Sequence, residues 1–130
     1  MKSYFSSRGT VSTWWREEKW PPVLRLYFDE QLNYVSSFSE WKGKSVLDAG
    51  TGFGRFASLL ASLTAKVYAV DISIDMIEIA RSRNTDMSES IISWQRGDVE
   101  KLPFRDESSD AVVCMETLMH LPDPPTAVKE

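Results

Sequence analysis

The sequence has little of what several classes of protein require. Its 130 residues include one cysteine, Cys114, and one histidine, His120, which excludes an internal disulfide and a zinc site built from cysteine and histidine. The formal net charge is −4, so no broad basic surface is available for nucleic acid. No apolar run is long enough to span a bilayer, and no signal segment follows Met1. We therefore expect a cytoplasmic protein with no metal and with neither a nucleic-acid nor a membrane partner.

What is present indicates one globular α/β domain. Hydrophobic residues make up 42% of the chain and charged residues 26%, as is usual for globular proteins. Apolar residues recur at helical spacing from residue 23, at Leu24, Phe28, Leu32, Val35 and Phe38. Four short apolar strands follow at residues 45–49, 66–72, 91–95 and 111–115. Because strands alternate with helices, we predict a Rossmann-like parallel sheet with flanking helices.

The stretch VLDAGTGFGRFA, residues 46–57, places three glycines between a predicted strand and a predicted helix. Such a turn lets the backbone approach a ligand, and the helix N-terminus offers unpaired N–H groups. The spacing is GxGxG, at Gly50, Gly52 and Gly54. A dinucleotide fingerprint, GxGxxG, would need a glycine where Arg55 stands. Asp48 would repel a pyrophosphate, but it suits the amino group of an amino-acid-like ligand. The pattern therefore favours a cationic adenosyl ligand over NAD.

Four stretches resemble, in order, the motifs of the class I S-adenosylmethionine-dependent methyltransferases. They are VLDAGTGFGRFA, VYAVDIS (67–73), GDVEKLPF (97–104) and SDAVVCMETLMHLPDP (109–124), which together cover roughly residues 42–125. The last is similar to the fourth-strand motif of the small-molecule, type 11-like branch. The resemblance implies an enzyme that transfers a methyl group from S-adenosylmethionine to a small-molecule acceptor, with this chain supplying the cofactor site.

The resemblance also implies particular cofactor contacts. Asp71, which ends the second-strand motif, would bind the ribose hydroxyls, and Asp98 would meet the adenine amino group. Ile72 and Val99 would pack on the two faces of the adenine ring. The full predicted cofactor-binding set is Asp48, Gly50, Thr51, Gly52, Gly54, Asp71, Ile72, Met76, Asp98, Val99 and Glu116.

Several of these residues also have a purely structural interpretation. Asp71 could begin the next helix as a negative residue of its first turn, and Asp98 could only close a turn. Met76 fits the core equally well, and Glu116 could be solvated. His120 is the candidate catalytic residue, because a neutral imidazole can take a proton from an incoming nucleophile. Alternatively, it caps or packs the segment after the fourth strand.

The first 41 residues carry four of the five tryptophans and form a separate aromatic and helical segment before the cofactor-binding half, residues 42–130. These rings could form a lid or a substrate slot over the cofactor. They could equally pack the first helix onto the sheet. The four are Trp14, Trp15, Trp20 and Trp41.

The chain supplies candidates for four strands, whereas members of the resembled family build a seven-stranded sheet. We therefore expect the cofactor-binding portion of a longer protein rather than a naturally short one. We expect this portion alone to lack turnover. We also expect it to self-associate through the open edge of the fourth strand, or to cover that edge with its own N-terminal segment. A non-catalytic module that binds S-adenosylmethionine or a partner stays open as an alternative. An NAD-binding oxidoreductase domain is less favoured.

Overall fold

The computed structural model describes residues 17–63 and 65–130, which form a four-stranded parallel sheet. The strand order is β3-β2-β1-β4, and every neighbouring pair is parallel. The strands are β1 (Ser45–Ala49), β2 (Lys66–Asp71), β3 (Ile92–Arg96) and β4 (Ala111–Val113). The predicted Rossmann-like sheet is confirmed, with strand ends that differ from the prediction by at most two residues.

In the part of the chain that the structure describes, the sheet is accompanied by four helices and by two short 3-10 turns, Glu17–Lys19 and Leu118–His120. Proline at the first turn of the first helix is compatible with helix entry, because no intrahelical partner exists there for an N–H. The Ser73 hydroxyl accepts a hydrogen bond from the Met76 amide at 3.3 Å and so caps the third of these helices. None of the helices in residues 17–63 and 65–130 is long and apolar enough to cross a membrane. The helices are α1 (Pro22–Phe38), α2 (Arg55–Ser62), α3 (Ile74–Arg83) and α4 (Pro124–Lys129).

The strands alternate their side chains between two apolar layers, as the pleat requires. On one face, Val46 and Val67 pack against α2, α3 and the buried side of α1. On the other face, Leu47 and Val70 pack with Val99 and the segments that follow the third and fourth strands. β1 and β2 are thereby held by burial on both faces, which explains their largely apolar sequences.

β4 is two residues shorter than its apolar run predicts. Glu116 has a left-handed backbone with φ +57°, a conformation that does not continue a strand. The Thr117 hydroxyl donates to the carbonyls of Met115 at 3.1 Å and Gly50 at 3.3 Å. The end of β4 is therefore set by contacts with the glycine loop, which no local apolar pattern reveals.

The strand order reverses between β1 and β4. In open α/β sheets, ligands bind outside the carboxyl ends of the strands at such a switch point. The segments that leave these two strands are the glycine loop, residues 50–54, and residues 114–121. The fold therefore places two of the four motifs on either side of one crevice.

The edge of β4 supports the expected self-association, which stays a prediction. Within the described residues, β4 pairs with β1 alone, and Val112 is 62% exposed. An open apolar edge tends to recruit another chain. We expect the average mass in light scattering to rise with concentration, and Val112→Lys to suppress that rise.

The matched control for this edge is Val128→Lys, because Val128 is 71% exposed on α4 and lies outside the sheet. It should leave the concentration dependence unchanged. A mass that stays monomeric at all concentrations would contradict the prediction.

Candidate functional site

A cavity of about 400 Å³ is lined by the segments that follow all four strands. Its volume lies within the range of small-molecule sites. The structure brings most of the residues predicted from the sequence together on its wall. They are Gly50, Thr51, Gly52, Asp71, Ile72, Met76, Asp98, Val99, Glu116 and His120.

Two glycines of the loop border the cavity for different reasons. At Gly52, where φ is +57°, an added Cβ would meet no atom within 4 Å, so the backbone there faces open space. At Gly50, an added Cβ would lie 2.1 Å from the Thr117 hydroxyl oxygen. Packing therefore requires glycine at position 50, whereas glycine at position 52 leaves the backbone bare toward the cavity.

Asp71 connects the glycine loop to the start of α3. Its Oδ2 accepts a hydrogen bond from the Gly52 amide at 2.9 Å, and its Oδ1 accepts one from the Ser73 amide at 2.8 Å. Burial raises the pKa of Asp71, and these backbone bonds oppose the rise by favouring the charged form. Each carboxylate oxygen can accept a further hydrogen bond. Asp71 thus binds the backbone at the start of α3 and still has oxygen lone pairs that can accept hydrogen bonds from a ligand.

The loop after β3 supplies a polar group beside an apolar slot. Asp98 Oδ1 accepts from the Glu100 amide at 3.0 Å, so this side chain does close a turn, and it also borders the cavity. Val99 and Met76 are buried, and together with Ile72 they line the same cavity. An apolar slot next to a carboxylate suits a flat heteroaromatic ring that carries an amino group.

Two predicted contacts, Asp48 and Gly54, are not on the cavity wall. Asp48 is 1% exposed and accepts a hydrogen bond of 2.6 Å from the hydroxyl of Thr51, which does border the cavity. At Gly54, an added Cβ would lie 2.7 Å from the Trp94 ring and 3.1 Å from the Ala80 Cβ. Asp48 therefore lies beneath the site, and Gly54 lies where α2 packs on α3 and β3.

Asp48→Asn is expected to change how stability depends on pH. Burial raises the pKa of Asp48 from 3.8 to about 7, the Thr51 hydroxyl opposes the rise, and the charge of Asp71 adds to it. Between these two pH values the folded protein holds a proton that the unfolded chain has lost. The contribution of Asp48 to the free energy of unfolding therefore falls as pH rises, by about 1.4 kcal/mol per pH unit.

Urea denaturation at pH 5 and pH 8 measures this effect. Relative to the wild type, the Asp48→Asn protein should be more stable at pH 8 than at pH 5, because it carries no buried charge there. An equal difference between the two proteins at both pH values would contradict the shifted pKa.

α1 and the turn before it contribute a wall that the sequence interpretation only partly anticipated. Trp20 borders the cavity, as expected for a lid or slot. Trp41 is buried, and its Nε1 donates to the Val35 carbonyl at 2.9 Å. For this residue the structure agrees with the alternative that the ring packs the first helix onto the sheet. Trp14 and Trp15 lie outside the described residues. The apolar stripe of the helix that begins near residue 23 also contributes Leu24 and Phe28 to the cavity wall.

Glu116 joins the segment after β4 to α1. Its Oε1 accepts hydrogen bonds from the Tyr27 hydroxyl at 2.5 Å and from Gln31 Nε2 at 2.6 Å. The bond to Glu116 raises the pKa of Tyr27, so Tyr27 stays protonated as a donor. His120 is half-buried at the end of the nearby 3-10 turn and borders the cavity. Sequence reasoning missed Tyr27 and Gln31, because their partner is far away in the chain.

A family model described as "Methyltransferase domain" matches residues 47–130. The chain belongs to this family. The match confirms the resemblance that the four ordered motifs indicate, and it includes the glycine loop and every predicted site residue. The first helix and the turn before it lie outside the matched range.

Curated relatives and solved structures agree with this assignment. Ubiquinone biosynthesis O-methyltransferase of Coxiella burnetii is 34% identical over 116 residues, 89% of this chain and 49% of the relative. The protein of the same name from Xanthomonas oryzae pv. oryzae is 32% identical over 120 residues, 92% of this chain and 50% of the relative. The chain thus spans about half the length of the curated relatives it matches.

Among solved structures, YcgJ from Bacillus subtilis superposes with a TM-score of 0.72 and 28% identity, over 78% of this chain and 44% of its own. Magnesium protoporphyrin IX methyltransferase from Synechocystis PCC 6803, solved with bound S-adenosylhomocysteine, gives a TM-score of 0.78 at 23% identity, over 98% of this chain and 63% of its own. The second match includes the region of α1, and at this identity it supports the fold alone.

Proposed function

We propose that the protein is an S-adenosylmethionine-dependent methyltransferase acting on a hydroxyl group of a small molecule, with this chain supplying the cofactor site. The observation that carries the proposal is the bare backbone at Gly52 beside the Asp71 carboxylate, on the wall of a cavity at the β1/β4 switch point. A hydroxyl acceptor is favoured because the curated relatives are named O-methyltransferases.

The residues on the wall divide among the parts of the cofactor. Asp71 would accept hydrogen bonds from the ribose hydroxyls, and Asp98 from the adenine amino group. Ile72, Met76 and Val99 would enclose the adenine ring. The glycine loop, with Thr51 and the buried Asp48 behind it, would lie along the methionine end. When bound, the cofactor supplies a methyl group on a sulfonium, which is already an activated leaving group.

The remaining wall has the character of a site for a flat apolar acceptor. It is made mostly of aromatic and long apolar side chains, with Tyr27 and His120 as polar groups. The protein would mainly align the acceptor oxygen and exclude water. His120 would take the proton from the acceptor hydroxyl. The apolar members of this wall include Trp20, Leu24, Phe28, Met115, Met119 and Leu121.

Calorimetric titration tests the cofactor assignment. We expect S-adenosylhomocysteine and S-adenosylmethionine to bind and NAD not to bind. Asp71→Ala should weaken S-adenosylhomocysteine binding by about 1–3 kcal/mol, because charge-assisted hydrogen bonds to the ribose are lost. Asp86→Ala is the matched control, since Asp86 is exposed and outside the cavity.

Three outcomes separate the candidate functions. If wild type and Asp71→Ala bind S-adenosylhomocysteine with equal affinity, Asp71 does not contact the cofactor. Binding of NAD in place of S-adenosylhomocysteine would favour the oxidoreductase alternative. Cofactor binding without turnover on any hydroxyl acceptor, measured in the full protein that contains this chain, would favour a non-catalytic module.

A further inference from the structure

Arg55 is a partly buried cation at the rim of the cofactor cavity. It is the first residue of α2, directly after the glycine loop. Among the described residues that border the cavity, it is the only arginine or lysine. Its Nη1 atom is buried and has no hydrogen-bond partner. A buried, unsatisfied donor is costly, so its retention calls for an explanation.

The acidic neighbours of Arg55 form only long ion pairs with it. Its Nε lies 3.7 Å from Glu17 Oε2, and its Nη2 lies 3.4 Å from Asp29 Oδ1. Both distances exceed the roughly 2.7–2.9 Å of a good charge-assisted bond. Glu17 lies much closer to Arg83, at 2.7 Å, and Asp29 is 65% exposed, so its attraction is screened. Burial accordingly lowers the pKa of Arg55.

Two aromatic rings of the N-terminal segment hold the Arg55 guanidinium in place. Its central carbon lies 5.3 Å from the centroid of the Trp20 ring and 5.1 Å from that of Phe28. Aromatic faces orient a guanidinium without occupying its N–H groups. Trp20 and Phe28 also border the cavity. Arg55 is therefore positioned beside ligand space with donor capacity to spare.

An anionic group lies close by along α1. Glu116 borders the cavity, and its hydrogen-bond partners Tyr27 and Gln31 are both neutral. No cation within the described ranges forms an ion pair with it. Tyr27 contacts Glu116 and the next residue, Phe28, contacts Arg55, so α1 brings the two opposite charges to the same wall. A ligand end that carries one carboxylate and one ammonium group matches this pair.

We infer that Arg55 binds the carboxylate of the amino-acid end of the cofactor, while Glu116 faces its ammonium group. The inference rests on the proposed function. It gives a binding role to Arg55, which in the sequence served only as evidence against a dinucleotide fingerprint. Because Nη1 is buried and the guanidinium packs on the Trp20 and Phe28 rings, we expect the carboxylate to displace these two rings when it binds. Cofactor binding is therefore coupled to the position of α1.

Ligands that differ only in the carboxylate test this subsite. Affinities are measured by calorimetry for S-adenosylhomocysteine and for its decarboxylated analogue, which lacks the carboxylate and is otherwise identical. The wild type should prefer S-adenosylhomocysteine by about 10- to 100-fold. Arg55→Gln should abolish this preference. Arg81→Gln, which removes an exposed arginine of α3 that lies outside the cavity wall and shares no partner with Arg55, should keep it.

Each outcome decides between the inference and the proposed function. A wild type that binds neither ligand defeats the proposed function. A wild type that binds both equally, or an Arg55→Gln protein that keeps the preference, overturns the inference and leaves the proposed function standing.

A second measurement needs no variant and therefore holds even if Arg55→Gln does not fold. In the wild type, hydrogen exchange across residues 20–28 should change on adding S-adenosylhomocysteine and stay unchanged on adding the decarboxylated analogue. The same response to both ligands would overturn the inference.

Discussion

Gly52→Val is expected to abolish binding of S-adenosylhomocysteine while leaving the protein folded. The Cβ at this position would enter open space on the cavity wall and would clash with no protein atom. A branched side chain there would fill the path along which the cofactor approaches the backbone. We expect an affinity loss of at least about 100-fold by calorimetry, with a near-native circular dichroism spectrum.

Gly43→Val separates this steric effect from backbone strain. Gly43 also has a left-handed φ, +74°, and an added Cβ there would meet nothing within 4 Å, but it does not border the cavity. Both variants carry a similar conformational cost. If Gly43→Val also loses binding, strain and not occlusion is responsible. If Gly52→Val binds normally, the loop is only a structural turn.

Strand pairing explains why residues of two separate motifs meet. Gly52 and Asp71 lie at the ends of adjacent parallel strands, and parallel pairing brings such ends together whatever else the fold contains. The alternation of strands and helices likewise predicted the sheet, whose central strands β1 and β2 are buried on both faces.

Residues whose role depends on distant partners could not be assigned this way. Gly54 continues the alternating pattern of Gly50 and Gly52, yet its neighbours are Trp94 of β3 and Ala80 of α3. Phe28 belongs to a helical stripe that indicates burial, but spacing alone does not say whether the stripe covers a core or a ligand cavity. The sequence showed the periodicity, and only the packed structure identifies the surface it meets.

Gly54→Ala is expected to damage folding, although this glycine belongs to the same motif as Gly52. Its φ is +87°, and the new Cβ would lie 2.7 Å from the Trp94 ring and 3.1 Å from the Ala80 Cβ. Left-handed strain costs about 1–2 kcal/mol, and overpacking adds about 1–3 kcal/mol. We expect urea denaturation to show a loss of about 2–5 kcal/mol in the free energy of unfolding.

Gly43→Ala measures the strain alone, since its Cβ would be free of contacts, and it should cost about 1–2 kcal/mol. Trp94→Leu in the Gly54→Ala background should recover part of the additional loss, because the two residues are in contact and their effects are then not additive. Equal costs for Gly54→Ala and Gly43→Ala would show that packing does not require glycine at position 54. The predicted role of Gly54 in cofactor binding would then be the better account of why this turn carries a third glycine.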